Sequence, residues 1–390
     1  DPPQPLAARA MTGTSAPHGG YLIAGGGTGG HVFPALAIAG ELRRRRPEAP
    51  IVFVGTARGI ETDLVPRAGY PLELIRARGL VGKSANALVQ GALSLPLGLV
   101  DSWRLVTRHR PSAVVGVGGY AAGPVVATAW ARRIPTVVHE SNAVPGLTNR
   151  LLAGIAGRIA VGGEEARRAL PGAVVTGNPV RPELFSIPAL DGRPIPRGLR
   201  VLVVGGSQGA VILNRLVPGA LGELAEKGIS VEVVHQCGRR AMETADAPGG
   251  VRTLYREAGL PRATVKGFLH DLPSELAASD LIVCRSGAMT VAEVAAAGRP
   301  ALFVPFRLAT HGHQEANARA LERLGAAAVV TEGEAEAGQL TPALRALLSD
   351  LARLAAMGRA ARTQAKPDAA ARVCDLVLSA EMGTETEVKR

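Results

Sequence analysis

The sequence predicts an α/β protein of two doubly wound domains, each a parallel sheet wrapped in helices. Three observations predict it. Short apolar runs alternate with helical patterns, two of the runs end in glycine-rich turns that open a helix, and a Pro/Gly-rich stretch separates two series of runs. Such alternation calls for parallel strands joined by right-handed crossovers. At 390 residues the chain is long enough for two domains, each with its own core.

In chain order, residues 1–19 are Pro/Ala/Gly-rich without a basic start or apolar centre, and read as a disordered tail rather than a signal peptide. Strands are expected at 20–24, 51–54, 72–76, 113–117, 135–139, 158–161 and 173–176, giving an N-terminal domain over 20–185. Residues 186–198 form the linker. A second series at 201–204, 231–236, 263–266, 280–284, 301–304 and 327–330 gives a C-terminal domain over 199–365, with helices at 341–380 and a terminal helix and tail at 366–390.

Composition narrows the function. Cys237, Cys284 and Cys374 are isolated, which argues for a reducing compartment and against disulfides or structural zinc. Residues 1–180 carry 19 Lys+Arg against 10 Asp+Glu, whereas 181–390 are nearly balanced, 25 against 23. A basic N-terminal half points to an anionic partner on one side. Aromatic residues make up 3%, too few for stacking bases, so a membrane surface is favoured and nucleic acid is not. The longest uncharged apolar stretch, 85–100, is too short to cross a membrane. In the segment 88–106, Leu99, Val100, Trp103 and Val106 recur at helical spacing beside Arg104, Arg108 and Arg110, and Trp130 lies near Arg132 and Arg133. They read either as a membrane-surface patch or as core helices with solvated arginines.

The first glycine turn runs Gly25-Gly26-Gly27-Thr28-Gly29-Gly30 into His31, and the second runs Gly205-Gly206-Ser207-Gln208-Gly209-Ala210. Main-chain N–H groups at a helix start bind anions, and glycines let a phosphate approach the backbone. A dinucleotide site would need a carboxylate closing the second strand, but Ile51–Val54 runs into Gly55-Thr56-Ala57-Arg58.

Further motifs follow strand ends. His31 either takes a proton or binds phosphate. Gly118-Gly119-Tyr120 adds a third glycine turn, with the alternative of a tight turn around a packed tyrosine. His139-Glu140-Ser141-Asn142 offers asparagines, Asn142 and Asn149, to sugar hydroxyls, while His139 and Glu140 read equally as a structural pair. Arg181, held between prolines, can reach across a cleft or sit on its surface. Cys284-Arg285-Ser286-Gly287 opens a helix suited to a diphosphate, with Glu293 two turns in for a ribose diol. His311, His313, Gln314 and Asn317 give polar lining, with no third ligand for a metal.

In combination, Gly-Gly-Thr-Gly-Gly-His (26–31), Gly-Gly-Tyr (118–120), His-Glu-x-Asn (139–142), Asn-Pro-Val-Arg (178–181), Gly-Gly-Ser-Gln-Gly-Ala (205–210) and Cys-Arg-Ser-Gly-Ala-x-Thr (284–290) resemble the MurG family of glycosyltransferase family 28. The match runs from Leu22 to about Val373. The resemblance implies a GT-B architecture, two Rossmann-like domains facing across a cleft. It implies an inverting transfer of N-acetylglucosamine from UDP-GlcNAc to the muramoyl sugar of lipid I, an undecaprenyl diphosphate, giving lipid II for peptidoglycan. No cofactor or metal is implied, and the enzyme would work at the cytoplasmic face of the plasma membrane. Donor contacts would come from Thr28, Gly29, Gly30, Asn142, Arg181 and Ser207, and from Phe268 and Leu269 at the uracil. Ala288, Met289, Thr290, Val291, Ala292 and Glu293 would follow, Glu293 at the ribose, with Gln314 at the sugar. The acceptor diphosphate would lie on Thr28, Gly29, Gly30, His31, Gly118, Gly119 and Tyr120, with His31 the catalytic candidate. His313 stands where some relatives carry glutamine. A transferase with a soluble acceptor, a related epimerase and a nucleotide-sugar-binding scaffold are the rival readings.

Overall fold

A computed structural model describes residues 19–77, 85–191, 198–309 and 312–388, without the side chains of 85–94 and 383–388. Residues 1–18 of the expected tail, 192–197 of the linker and His311 lie outside the described residues.

Two fully parallel sheets form the molecule. The first holds β1 (Tyr21–Ala24), β2 (Ile51–Gly55), β3 (Leu72–Leu74), β4 (Ala113–Gly116), β5 (Thr136–Glu140), β6 (Arg158–Val161) and β7 (Val174–Val175), in the order β3-β2-β1-β4-β5-β6-β7. The second holds β8 (Leu199–Val204), β9 (Val231–Gln236), β10 (Thr264–Lys266), β11 (Leu281–Cys284), β12 (Ala301–Phe303) and β13 (Ala327–Val329), in the order β10-β9-β8-β11-β12-β13. The central strands are buried on both faces, which is why they read as continuous Val/Ile/Leu runs rather than alternating ones. Each expected strand is present, its ends shifted by at most two residues.

The chain crosses between the lobes twice. After β7 it enters a short 3-10 turn, Pro182–Ser186, whose Leu184 packs in the core of the C-terminal lobe together with Val180 and Ile187. Two arginines bolt this segment down. Arg299, 1% exposed, donates to the carbonyls of Leu276, Ala277 and Pro188, and Arg362 donates to those of Phe185, Ile187 and Ala297. Arg181 therefore belongs mechanically to the C-terminal lobe. The last helix, Ala369–Val388, returns to the first lobe, where Val373, Cys374 and Val377 join its core and Asp375 pairs with Arg45. No periodicity in the sequence announces that return.

Helix Ala85–His109 packs against Ala122–Ala131, which packs against Leu147–Leu152. The apolar stripe expected on the first of these splits. Leu105 and Val106 are buried, while Leu99, Val100 and Trp103 are exposed. No helix of the described residues is long and apolar enough to cross a membrane.

Candidate active site

Each sheet changes winding direction at its central pair, β1/β4 and β8/β11. Crossovers there leave to opposite faces and open a crevice at the carboxyl ends of the strands. The glycine turns sit at these crevices: Gly25–Gly30 follows β1, Gly118–Gly119 follows β4, Gly205–Gly209 follows β8, and Ser286–Gly287 follows β11.

In the N-terminal lobe a carboxylate that the sequence reading missed organises the first turn. Glu61 is 1% exposed, and its Oε2 accepts the Gly27 N–H at 2.7 Å. Its Oε1 accepts the Thr56 N–H at 2.9 Å and the Thr56 hydroxyl at 3.1 Å. The absence of an acid at the end of β2 is real, but an acid six residues later lies under the loop and is consumed by its backbone. Gly26, Gly55 and Gly59 wall the carboxylate, and a Cβ on any of them would come within 2.6 Å of Glu61.

The glycine turns of this lobe touch backbone to backbone. Gly119 has φ +80°, and a Cβ there would lie 2.5 Å from the Gly26 carbonyl oxygen. Gly118, with φ +93°, presses on the His31 ring, where a Cβ would lie 2.7 Å from Cε1. His31 Nδ1 is 2.9 Å from the Val117 carbonyl oxygen. A carbonyl only accepts, so Nδ1 carries the proton. Burial pulls the imidazole pKa down, against weaker upward effects of Glu140, the Val117 hydrogen bond and Glu61. The ring is thus neutral near pH 7, and Nε2 keeps its lone pair. Tyr120 is 53% exposed rather than packed.

At the end of β5, His139 and Glu140 are both structural. His139 is fully buried, donates from Nε2 to the Gly177 carbonyl, and is held neutral by burial. Glu140 accepts from the Asn142 N–H and side chain, the Gly146 N–H and the Asn149 side chain, fixing residues 140–149 as one rigid loop. Asn149 is buried, and its carboxamide also donates to the His139 carbonyl.

In the C-terminal lobe, Ala288–Ala297 starts from Gly287 with no side-chain cap and no acid in its first turn; Gly29–Arg45 and Val211–Glu226, after the turns at Gly25–Gly30 and Gly205–Gly209, likewise lack both. Each leaves uncapped N–H groups and a positive dipole end at the crevice. Ser286 is spent internally, its hydroxyl donating to the Gln314 carbonyl. The Phe306 N–H donates to Gln314 Oε1, which orients that carboxamide. Glu293 is 7% exposed and pairs with Arg181 at 2.9 Å. Burial raises its pKa, and Arg181 opposes the rise. The Arg181 guanidinium also lies 4.5 Å from the ring centroid of Phe33, on the first helix of the other lobe. Phe268 lies between His270 and Arg239, and Arg239 pairs with Asp63 of the N-terminal lobe. Among the described residues, no group of three His, Cys, Asp or Glu side chains can hold a metal ion.

Known proteins match both lobes. The N-terminal domain model of glycosyltransferase family 28 matches residues 21–161, and its C-terminal domain model matches 200–373. A UDP-N-acetylglucosamine--N-acetylmuramyl-(pentapeptide) pyrophosphoryl-undecaprenol N-acetylglucosamine transferase of Anaeromyxobacter sp. (strain K) is 42% identical, covering 92% of both chains. The transferase of that name from Alkalilimnicola ehrlichii is 43% identical, covering 92% of this chain and 98% of its own. The crystal structure of Acinetobacter baumannii MurG superposes with a TM-score of 0.69 at 31% identity, covering 93% of this chain and all of that one. A UDP-GlcNAc 2-epimerase from Neisseria meningitidis, with a TM-score of 0.65 at 12% identity over 92% of this chain and all of its own, shares the fold alone. With relatives this similar along nine-tenths of its length and models matching both lobes, the chain belongs to glycosyltransferase family 28.

Proposed function

We propose that this chain transfers N-acetylglucosamine from UDP-N-acetylglucosamine to the muramoyl sugar of an undecaprenyl-diphosphate-linked acceptor, forming lipid II for peptidoglycan, as the names of its relatives describe for them. The observation that carries the reading is the neutral His31, pinned through Nδ1 between two glycine turns at the N-terminal crevice.

The acceptor hydroxyl attacks the anomeric carbon from the face opposite UDP, so the configuration inverts. The O–C bond forms as the C–O bond to the diphosphate breaks, and the hydroxyl proton goes to His31 Nε2. A general base of this kind is worth about 10²–10⁴-fold. Negative charge grows on the departing UDP, where the uncapped start of Ala288–Ala297 and the turn with Ser207 supply N–H donors. Glu293 takes the ribose, Gln314 the sugar, and Phe268–Leu269 the uracil. Thr28, Gly29 and Gly30, with Gly118 and Gly119, hold the acceptor diphosphate. Asn142 contributes through the rigid loop that Glu140 organises.

The enzyme works at the cytoplasmic face of the membrane as a peripheral protein. Three adjacent helices expose Leu95, Leu97, Leu99, Val100 and Trp103, then Trp130, then Leu147 and Leu151, within the basic half of the chain. An apolar face with flanking cations suits an anionic lipid surface.

The test is UDP release from UDP-N-acetylglucosamine with a lipid I analogue, with the product linkage read by NMR. Acceptor-dependent release giving a β-linked product is expected. Release that does not depend on the acceptor, or a retained α-linkage, overturns the reading.

A further inference from the structure

The ion pair Asp63–Arg239 spans the two lobes at 2.8 Å, and each partner is mounted beside a glycine turn. Asp63 lies on helix Glu61–Arg67, whose first residue is the buried acid that grips Gly27 and Thr56. The helix and the acceptor-side turn therefore move as one body. Arg239 is the first residue of helix Arg239–Glu243, directly after Gly238. Gly238 lies so close to the donor-side turn that a Cβ there would be 2.5 Å from Gly209 Cα. The Arg239 guanidinium also sits 5.2 Å from the centroid of the Phe268 ring.

We propose that Asp63 and Arg239 form a latch that closes the cleft over the nucleobase end of the donor, with Arg239 a positioning residue for the Phe268 segment. The proposal rests on the reading of that segment as the base pocket. The latch ties the two diphosphate-binding turns together, so that a lobe-to-lobe approach and an ordered base pocket form in one step. Its contribution is to donor affinity and not to bond making, because neither side chain contacts the His31 assembly.

Both partners reach solvent, with side chains 51% and 25% exposed for Arg239 and Asp63, so the effect is modest and salt-sensitive. An exposed pair of this kind corresponds to about a two- to fivefold change in affinity. Arg239→Gln is the cleaner single change, because Asp63 also pairs with Arg67 within its own helix. The experiment measures the Kd of UDP-N-acetylglucosamine by calorimetry, and its KM and kcat by acceptor-dependent UDP release, at low and high salt. Arg239→Gln is expected to raise Kd and KM by about two- to fivefold at low salt, to leave kcat within about twofold, and to flatten the salt dependence of Kd. Charge reversal of either partner, Asp63→Lys or Arg239→Glu, is expected to weaken binding further, and the double reversal to bind more tightly than Arg239→Glu alone, short of wild type because a carboxylate cannot replace the guanidinium over Phe268. A wild-type Kd and salt slope in Arg239→Gln, or no recovery in the double reversal, overturns the latch. Because Kd is read without an acceptor, the latch is scored separately from the transferase reading, which is decided by acceptor-dependent release and the linkage of its product.

Discussion

Replacing Glu61 by glutamine tests whether one buried carboxylate sets the shape of the first glycine turn. The change is isosteric, and the slot walled by Gly26, Gly55 and Gly59 still accommodates it. The carboxylate satisfies three donors, the N–H groups of Gly27 and Thr56 and the Thr56 hydroxyl. Glutamine has one acceptor oxygen, so its NH₂ faces either the Gly27 N–H or the Thr56 N–H, and in the second case the Thr56 hydroxyl turns to accept from it. A buried donor left unsatisfied costs about 1–3 kcal/mol, and the retained hydrogen bonds lose their charge assistance. The sum is about 3 kcal/mol. For a lobe of this size that lowers Tm by about 6–12 °C. Differential scanning calorimetry reads the loss, and UDP release should fall with it because Gly27 and Thr28 are no longer held. A Glu61→Gln protein with wild-type Tm and turnover would refute the argument and reduce Glu61 to a packing group.

Other expected outcomes follow from the same geometry. His31→Ala should keep donor affinity within about twofold by calorimetry while turnover falls about 10²–10⁴-fold; normal turnover removes His31 from the chemistry. Glu293→Ala should weaken UDP-N-acetylglucosamine binding by tenfold or more on the calorimetric Kd, on the order of one lost charged hydrogen bond, and it also strips Arg181 of its partner. His235, fully buried between Tyr255 and Asn214, has its pKa pushed down to about 3 by desolvation. A base with a depressed folded pKa contributes stability above its unfolded value of about 6.5 and loses it as pH falls from there. About 2 kcal/mol should be gone by about pH 5. Urea midpoints across that range should show the slope, and His235→Gln should make it shallower. Arg299→Lys should lower the urea midpoint of the C-terminal lobe by the equivalent of about 2–4 kcal/mol, since one ammonium cannot replace a planar fork that serves three carbonyls.

The architecture was legible because buried parallel strands must be short, apolar and followed by helices, and such runs stand out against the helical periodicity between them. The turns were legible because a glycine run at a strand-to-helix junction has few other uses. What each polar residue does there was not. His139, Glu140 and Asn142 form one motif in sequence, yet Glu140 fixes the loop and His139 is sealed beneath it. Their burial depends on strands 158–161 and 174–175, remote in sequence.

Residue types and their order along the chain determined two doubly wound lobes, the crevices where ligands meet them, and the family to which the chain belongs. Tertiary structure alone decided that Glu61 lies beneath the first turn, that His31 is a neutral Nδ1–H tautomer, that Arg181 travels with the C-terminal lobe, and that Asp63 meets Arg239. The reason is physical. Periodicity and turn chemistry are local and are written in neighbouring residues. Charge state, tautomer and partner depend on desolvation and on contacts between segments 34 to 176 residues apart, as with Gly27–Glu61, His31–Val117 and Asp63–Arg239.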